Sequence, residues 1–300
     1  MDTLAQQLVN GVVVGAVYAL IALGYTMVYG IVRLINFAQG GLYAAGAFMG
    51  LEVVQILQAH GVENPGALIG LALAGAMIGT GMLAFLVERV AYRPLRRASI
   101  LAALVSSLAV LFLIENVIQL LTGAQPQTYP SLLGVQPWSL GPITLSPSEL
   151  LIVLVALGLM AAMQGFVQRT KTGRAMRAIA VNPEVAGLMG VDVRRVVALT
   201  FVVGGALGAA AGVLVGINYG TITFNMGELA GLEGFTAAVL GGIGNGPGAL
   251  VGGLVLGMLQ SLVTIILPNQ WNEAVVFAVL IAVLAFRPHG ILGERVAERA

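Results

Sequence analysis

Residues Leu8–Tyr29 run for 22 positions without one charged side chain. A helix needs about 20 apolar residues to cross a hydrocarbon core about 30 Å thick, and there every backbone polar group has to be satisfied within the spanning structure. Similar apolar runs recur down the chain, in Ile35–Leu57 (with Glu52 towards its end), Gly66–Val87, Ile100–Leu121 (broken only by Glu115 and Asn116), Leu150–Val167 and Val196–Ile217. Gly234–Leu267 is apolar throughout but split by GGIGNGPG at Gly241–Gly248, where glycine and proline break a helix. A short or re-entrant segment is expected before that break and a full span, Ala249–Leu267, after it. Pro268–Glu273 reads as a turn and Ala274–Phe286 as the last crossing. Ile35–Leu57 opens with INFAQGG, which predicts an irregular start and a regular helix from about Leu42. Only 9% of the 300 residues are charged, against about 25% in soluble domains. The expectation is an all-α, polytopic integral membrane protein with eight or nine crossings, some broken or re-entrant, forming one transmembrane domain over residues 1–300. No room is left for a further soluble domain.

Charge sets the orientation. Of the 14 basic residues, four lie in Arg89–Arg97, six in Arg169–Arg195 and three in Arg287–Arg299, and the last is Arg33. His60–Pro65, Gly123–Ser148 and Asn218–Gly231 contain no lysine or arginine. Cytoplasmic loops carry the excess of lysine and arginine, so the N-terminus is expected outside and the C-terminus inside. Nine crossings satisfy that parity; eight require one re-entrant segment. Asp2 is the only charge before the first span, so the basic start of a signal peptide is missing and this span is expected to be retained.

Forty-one glycines are about twice the usual share of near 7%. Many recur at four-residue spacing: Gly11/Gly15, Gly46/Gly50, Gly66/Gly70, Gly75/Gly79, Gly204/Gly208/Gly212/Gly216, Gly248/Gly252 and Gly253/Gly257. Small residues on one helix face let backbones approach closely in lipid. The Gly204–Gly216 stripe has a second reading, as a helix that slides or meets another subunit.

Chemistry is scarce. There is no cysteine, and the only aspartates, Asp2 and Asp192, lie outside every span. No His-Glu-x-x-His or Gly-x-Ser-x-Gly occurs. GGIGNGPG lacks the Lys-Ser/Thr ending of a phosphate-binding loop, and the sole lysine, Lys171, is far away. No enzyme, metal site, cofactor site or nucleic-acid site is therefore expected. An ion-coupled carrier places ionisable side chains at mid-membrane, and Glu115, with Asn116 beside it and Gln119 a turn on, is the one candidate. It is expected in the outer part of the membrane, either bonded to a neighbouring helix or lining a solute path. Glu52 and Gln55 read as interfacial, and Ser146-Pro147-Ser148-Glu149 reads as a helix-capping box.

Gln168–Arg195 is unlike an ordinary loop. Helix-forming residues flank Asn182-Pro183, so a second short helix can start there with Glu184 in its first turn. Val185, Leu188 and Met189 fall at i, i+3 and i+4, one apolar face on a basic element. That face could lie on the membrane or dock into a soluble partner.

GYTMVYGIVRLINFAQGGLYAAGAF (Gly24–Phe48), YRPLRRAS (Tyr92–Ser99), TKTGRAMRAIAVNPEVAGLMGV (Thr170–Val191) and AAVLGGIGNGPGALVGGLVLG (Ala237–Gly257) closely resemble the LivH-type permeases of bacterial branched-chain amino acid ABC importers. The resemblance runs in order over nearly the whole chain. It implies the ABC importer permease fold, a multi-pass place in the inner membrane, a second related permease, two cytoplasmic ATPase subunits and a periplasmic solute-binding protein. It also implies that the loop docks the ATPase, through Thr172, Gly173, Arg174, Arg177, Asn182, Glu184, Ala186, Leu188 and Gly190. Glu184, Val185, Ala186 and Gly190 take the spacing of the importer coupling motif Glu-Ala-Ala-x-x-x-Gly, with valine for the first alanine; the Ile-x-Leu-Pro tail of the fuller motif is absent.

A zwitterion with an apolar side chain needs a transient path polar enough for its ends. Asn36 and Gln39, beside an expected break at Gly40-Gly41, together with Glu115 and Asn116, are the candidates to line it. Irregular backbone at membrane depth has to face protein or a cavity, and two interrupted segments in the two halves suggest a central path. The residues leave open a related permease for urea, short amides or other amino acids, and, from another class, a stand-alone channel or carrier.

Overall fold

The computed structural model describes residues 2–97, 99–134, 136–140, 143–287 and 289–293. Its helices are α1 (Asp2–Val32), α2 (Ala38–Ala59), α3 (Pro65–Val87, continued by a π turn over Glu88–Tyr92), α4 (Ile100–Thr122), α5 (Pro147–Arg169), α6 (Lys171–Val181), α7 (Pro183–Leu188), α8 (Val193–Tyr219), α9 (Met226–Gly241), α10 (Gly246–Val263) and α11 (Asn272–Phe286). Among the described residues seven helices are long and apolar enough to cross a membrane: α1 to α5, α8 and α10. The two remaining apolar segments form shorter helices, α9 with 16 residues and α11 with 15. Nine apolar segments are thus present, and two of them fall short of the usual spanning length.

Local chemistry sets the starts. Asn64 accepts from the amides of Gly66 and Ala67 ahead of α3, with Pro65 at its first position. Ser146 and Glu149 form the expected reciprocal box at α5, and Asn245 caps α10 by accepting from Gly248. Each side chain takes up amides that a helix start leaves unpaired.

Two boundaries differ from expectation. Gly40 and Gly41 lie inside α2, and the irregular stretch is Arg33–Phe37, with Arg33 at φ 55. Glycine serves close approach here, since a Cβ on Gly40 would overlap the Gly227 carbonyl of α9. The second helix concerned, α9, starts at Met226, not Gly234. Its two glutamates resemble a span's end in sequence, but Glu228 sits in the first turn, where the helix dipole favours an acid, and Glu233 finds a partner on α10. The expected break after α9 is present, with Gly242 at φ 105 and Gly244 at φ 96.

Helix α1 is the hub. Its glycines meet α10 backbone to backbone: a Cβ on Gly11 would lie 2.7 Å from Met258 Cα, and one on Gly15 would lie 2.8 Å from Leu254 Cα. The Gly204–Gly216 stripe packs inside the chain, with Gly204 against Gly24 of α1, Gly208 against Gln39, Gly212 against α2 and Gly216 against the Tyr129 ring. Its small residues therefore serve α1, α2 and the Tyr129 loop, which accounts for the stripe without a second subunit. Tyr129 is buried there, and burial raises its phenol pKa above the ordinary value, so it fills the site as a neutral plug.

Contacts sort the loops into two ends. Gln6 bonds the Thr144 backbone amide and carbonyl at 2.8 and 2.9 Å, and β1 (Gln127–Thr128) pairs antiparallel with β4 (Thr221–Ile222); a second small hairpin joins β2 (Trp138–Leu140) to β3 (Ile143–Leu145). At the opposite end Arg33 reaches the Ala180 carbonyl at 3.4 Å, and Asn245 donates to Leu292 O at 2.7 Å. Every basic residue in the described chain belongs to this second end; Arg295 and Arg299 lie outside the described residues.

Candidate solute path and coupling loop

Asn36, Gln39 and Glu115 come together around the start of α2. From Val193 to Gly204 is eleven residues of α8, roughly 16 Å of helical rise, and Gln39 Nε2 donates to the Gly204 carbonyl at 2.8 Å. Helix α2 therefore begins well inside the bundle, and the irregular stretch Arg33–Phe37 leads to it from the basic end, exposed at Arg33 and buried at Asn36, so that its inner part faces protein, as membrane depth requires. The Tyr92 hydroxyl donates to Asn36 Oδ1, tying this stretch to the end of α3, and Tyr92 packs on Phe201 with ring centroids 5.0 Å apart. Asn36 Nδ2 and Gln39 Oε1 are buried and unpartnered among the described residues.

Glu115 is buried on α4, facing the backbone amides of Gly227 and Glu228. The α9 N-cap residue, Asn225, makes no side-chain cap bond, and the Glu115 carboxylate lies beside that helix start, where the dipole favours an acid. Its Oε1 is buried without a hydrogen-bond partner among the described residues. Asn116 points elsewhere: it is exposed among Phe112, Leu113 and Val117 and donates back to the Phe112 carbonyl at 2.7 Å. The structure thus groups three of the four path candidates and separates the fourth.

One polar cluster escaped the sequence reading. The Tyr18 hydroxyl donates to Gln260 Oε1 at 2.6 Å, and Gln260 Nε2 donates to Glu233 Oε1 at 3.3 Å. The available signal was the unbroken apolar run on either side of Glu233 in GLEGFTAAVL, which suits a helix better than a loop.

At the basic end, α6 turns back against α5. Thr170 caps it by accepting from Gly173 N at 2.9 Å, with Thr172 in the first turn and Arg174 exposed. Gly173 lies so close to the Val167 carbonyl that no side chain fits, and Arg177 donates to the same carbonyl at 2.9 Å. Met176 and Ile179 form a small core with Ala186 and Val196. Asn182 caps α7 by accepting from Glu184 N and Val185 N. Gly190 closes the turn at φ 86, and Val191 N donates to Ala186 O at 3.1 Å. The buried Ala186 thus fixes which way α7 faces, and Val185, Leu188 and Met189 are 53%, 87% and 80% exposed.

The family model described as "Branched-chain amino acid transport system / permease component" matches residues 7–284. The chain belongs to this permease family. It is 40% identical over 298 residues to the high-affinity branched-chain amino acid transport system permease protein BraD of Pseudomonas aeruginosa, covering 98% of this chain and 97% of the relative. It is also 40% identical over 299 residues to the corresponding LivH protein of Escherichia coli K12, covering 98% and 97%. Among solved structures, PsaBC from Streptococcus pneumoniae in complex with Fab matches with TM-score 0.51 at 14% identity, over 96% of this permease and 93% of that chain. At that identity the likeness concerns the fold alone.

Proposed function

We propose that this permease is the membrane-spanning subunit of an ABC importer for leucine, isoleucine and valine in the bacterial inner membrane, acting as one transmembrane domain. Its basic end faces the cytoplasm, so the N-terminus is outside and the C-terminus inside. A second related permease completes the path, a periplasmic binding protein delivers the solute, and two ATPase subunits dock on residues 168–195. The chain contributes no catalytic residue; ATP is hydrolysed by its partners.

The observation that carries this reading is the exposed apolar trio Val185, Leu188 and Met189, presented at the basic end on a helix capped at both ends. Large apolar side chains left exposed together mark an interaction site, and rigid presentation lowers the cost of docking. The near-full-length identity to two branched-chain amino acid permeases supports the substrate class.

Reconstitution with candidate partners tests it. Uptake of labelled leucine is expected only with ATP, the ATPase subunits and the binding protein present; concentrative uptake by this chain alone would replace the reading with a secondary carrier. Orientation is tested on the cysteine-free chain, by adding single cysteines at Ser131 and at Ala178. Impermeant thiol reagents applied from outside are expected to label the first and spare the second.

A further inference from the structure

A cavity of about 430 Å³ lies among α1, α5, α6 and the start of α10, within the range of about 300–1,000 Å³ usual for ligand sites. Most of its wall is apolar, including Leu23, Met27, Leu157, Met160 and Leu250. Leu157 is half-exposed on α5, so the wall is shared with the outer surface of the bundle, where acyl chains lie. Two polar groups mark it. Thr26 is 3% exposed, and its Oγ1 has no hydrogen-bond partner among the described residues. Arg177, at the basic end, is exposed and gives Nη1 to the Val167 carbonyl; no carboxylate pairs with it among the described residues. Around it, residues 169–181 carry Arg169, Lys171 and Arg174 and no acid.

We propose that this cavity binds one anionic phospholipid, an acyl chain between α1 and α5 and the phosphate at Arg177. From Thr26 to Val32 is six residues of α1, roughly 9 Å of rise, so the free Thr26 hydroxyl sits where it can donate to an ester carbonyl below the headgroup. The choice of occupant follows from charge. Among the described residues no acid lines the cavity, so the ammonium of a free amino acid or of a zwitterionic headgroup finds no carboxylate there, whereas an anionic phosphate meets a basic mouth. Met176 and Ala180 of α6 form part of the wall, so the bound lipid packs α6 against the bundle.

The test uses the full chain, purified in detergent, stripped of lipid and titrated with phosphatidylglycerol, phosphatidylcholine or leucine, read by native mass spectrometry and by the unfolding midpoint. One phosphatidylglycerol is expected to be retained and to raise the midpoint; phosphatidylcholine and leucine do neither. Arg177→Gln is expected to weaken retention about five-fold, the worth of one basic side chain at an anionic surface, and Thr26→Val to weaken it further. Leu157→Trp, which fills the cavity, abolishes retention. If that variant fails to fold, the other two carry the test. Equal retention of phosphatidylcholine, or phosphatidylglycerol retention unchanged in all folded variants, overturns the proposal. Leucine binding that Arg177→Gln or Leu157→Trp removes would also overturn it and make the cavity a solute vestibule.

Discussion

In the bundle interior, Gly253 of α10 presses on Ala19 of α1 so closely that a Cβ would lie 2.6 Å from its Cα, and Gly212 of α8 leaves no room beside Tyr43 and Ala47. In the α6–α7 arm, Gly190 has nothing within 4 Å and is required instead by a φ of 86°. The same residue type serves space in one region and torsion in the other. The regions differ in apolar surface too: most residues of the apolar run of α1 are buried, whereas Leu188, on a six-residue helix, is 87% exposed. The interior spends its apolar residues on holding the permease together. The arm keeps them outward, where they contribute little to this chain's own stability.

That contrast is most severely tested inside. Gly212→Leu is expected to abolish folded protein, since the new side chain overlaps α2 backbone and dense interiors yield little; a normal yield of monodisperse protein would show that the α2–α8 contact is loose. Leu188→Asp comes next. Charging an interface anchor costs about 2 kcal/mol or more, so recovery of ATPase subunits in pull-downs should fall about thirty-fold, and uptake with it, at an unchanged unfolding midpoint. A variant that assembles and transports normally removes the docking role of α7. Gly190→Val is expected to reproduce this uncoupling with a strain of about 1 kcal/mol or more.

A smaller effect is expected at Gln39, where replacement by leucine removes its hydrogen bond to the Gly204 carbonyl, which keeps its own helical partner. Such a loss costs about 0.5–1.5 kcal/mol, read as a lowered midpoint; no change would mean that Gln39 serves the solute and not the helix joint. The smallest is Ser146→Ala, which removes a cap worth about 1 kcal/mol at the end remote from the arm and should leave coupling untouched.

Much of this was legible because lipid imposes simple rules. Apolar run length predicted the long helices, Ser146-Pro147-Ser148-Glu149 predicted its cap, and Asn182-Pro183 with Gly190 predicted both ends of α7. What escaped depended on pairings across the chain. Glu233 looks like the edge of a loop until Gln260, 27 residues later, is seen to bond it. Gln39 reads as a path candidate, and the gap left by Gly24 and Gly208 that holds its amide shows only in the fold. Glycines at Gly40-Gly41 signal a break in a sequence, yet here they permit a helix crossing. Spacing shows that a position is small or polar, but not which distant backbone it meets.

The hub position of α1 also bears on how the molecule is made. Its Gly11 face closes on Met258, 247 residues later in the chain, and at about 5–20 residues per second of synthesis that partner follows roughly 12–50 s behind. Through that interval the first helix rests in the bilayer with its glycine seam bare, tolerable because lipid tails are as apolar as the neighbour still to come. Sealing is therefore left to the last third of translation. A ribosome that stalls before α10 leaves an inserted but open chain, the form on which membrane quality control would act.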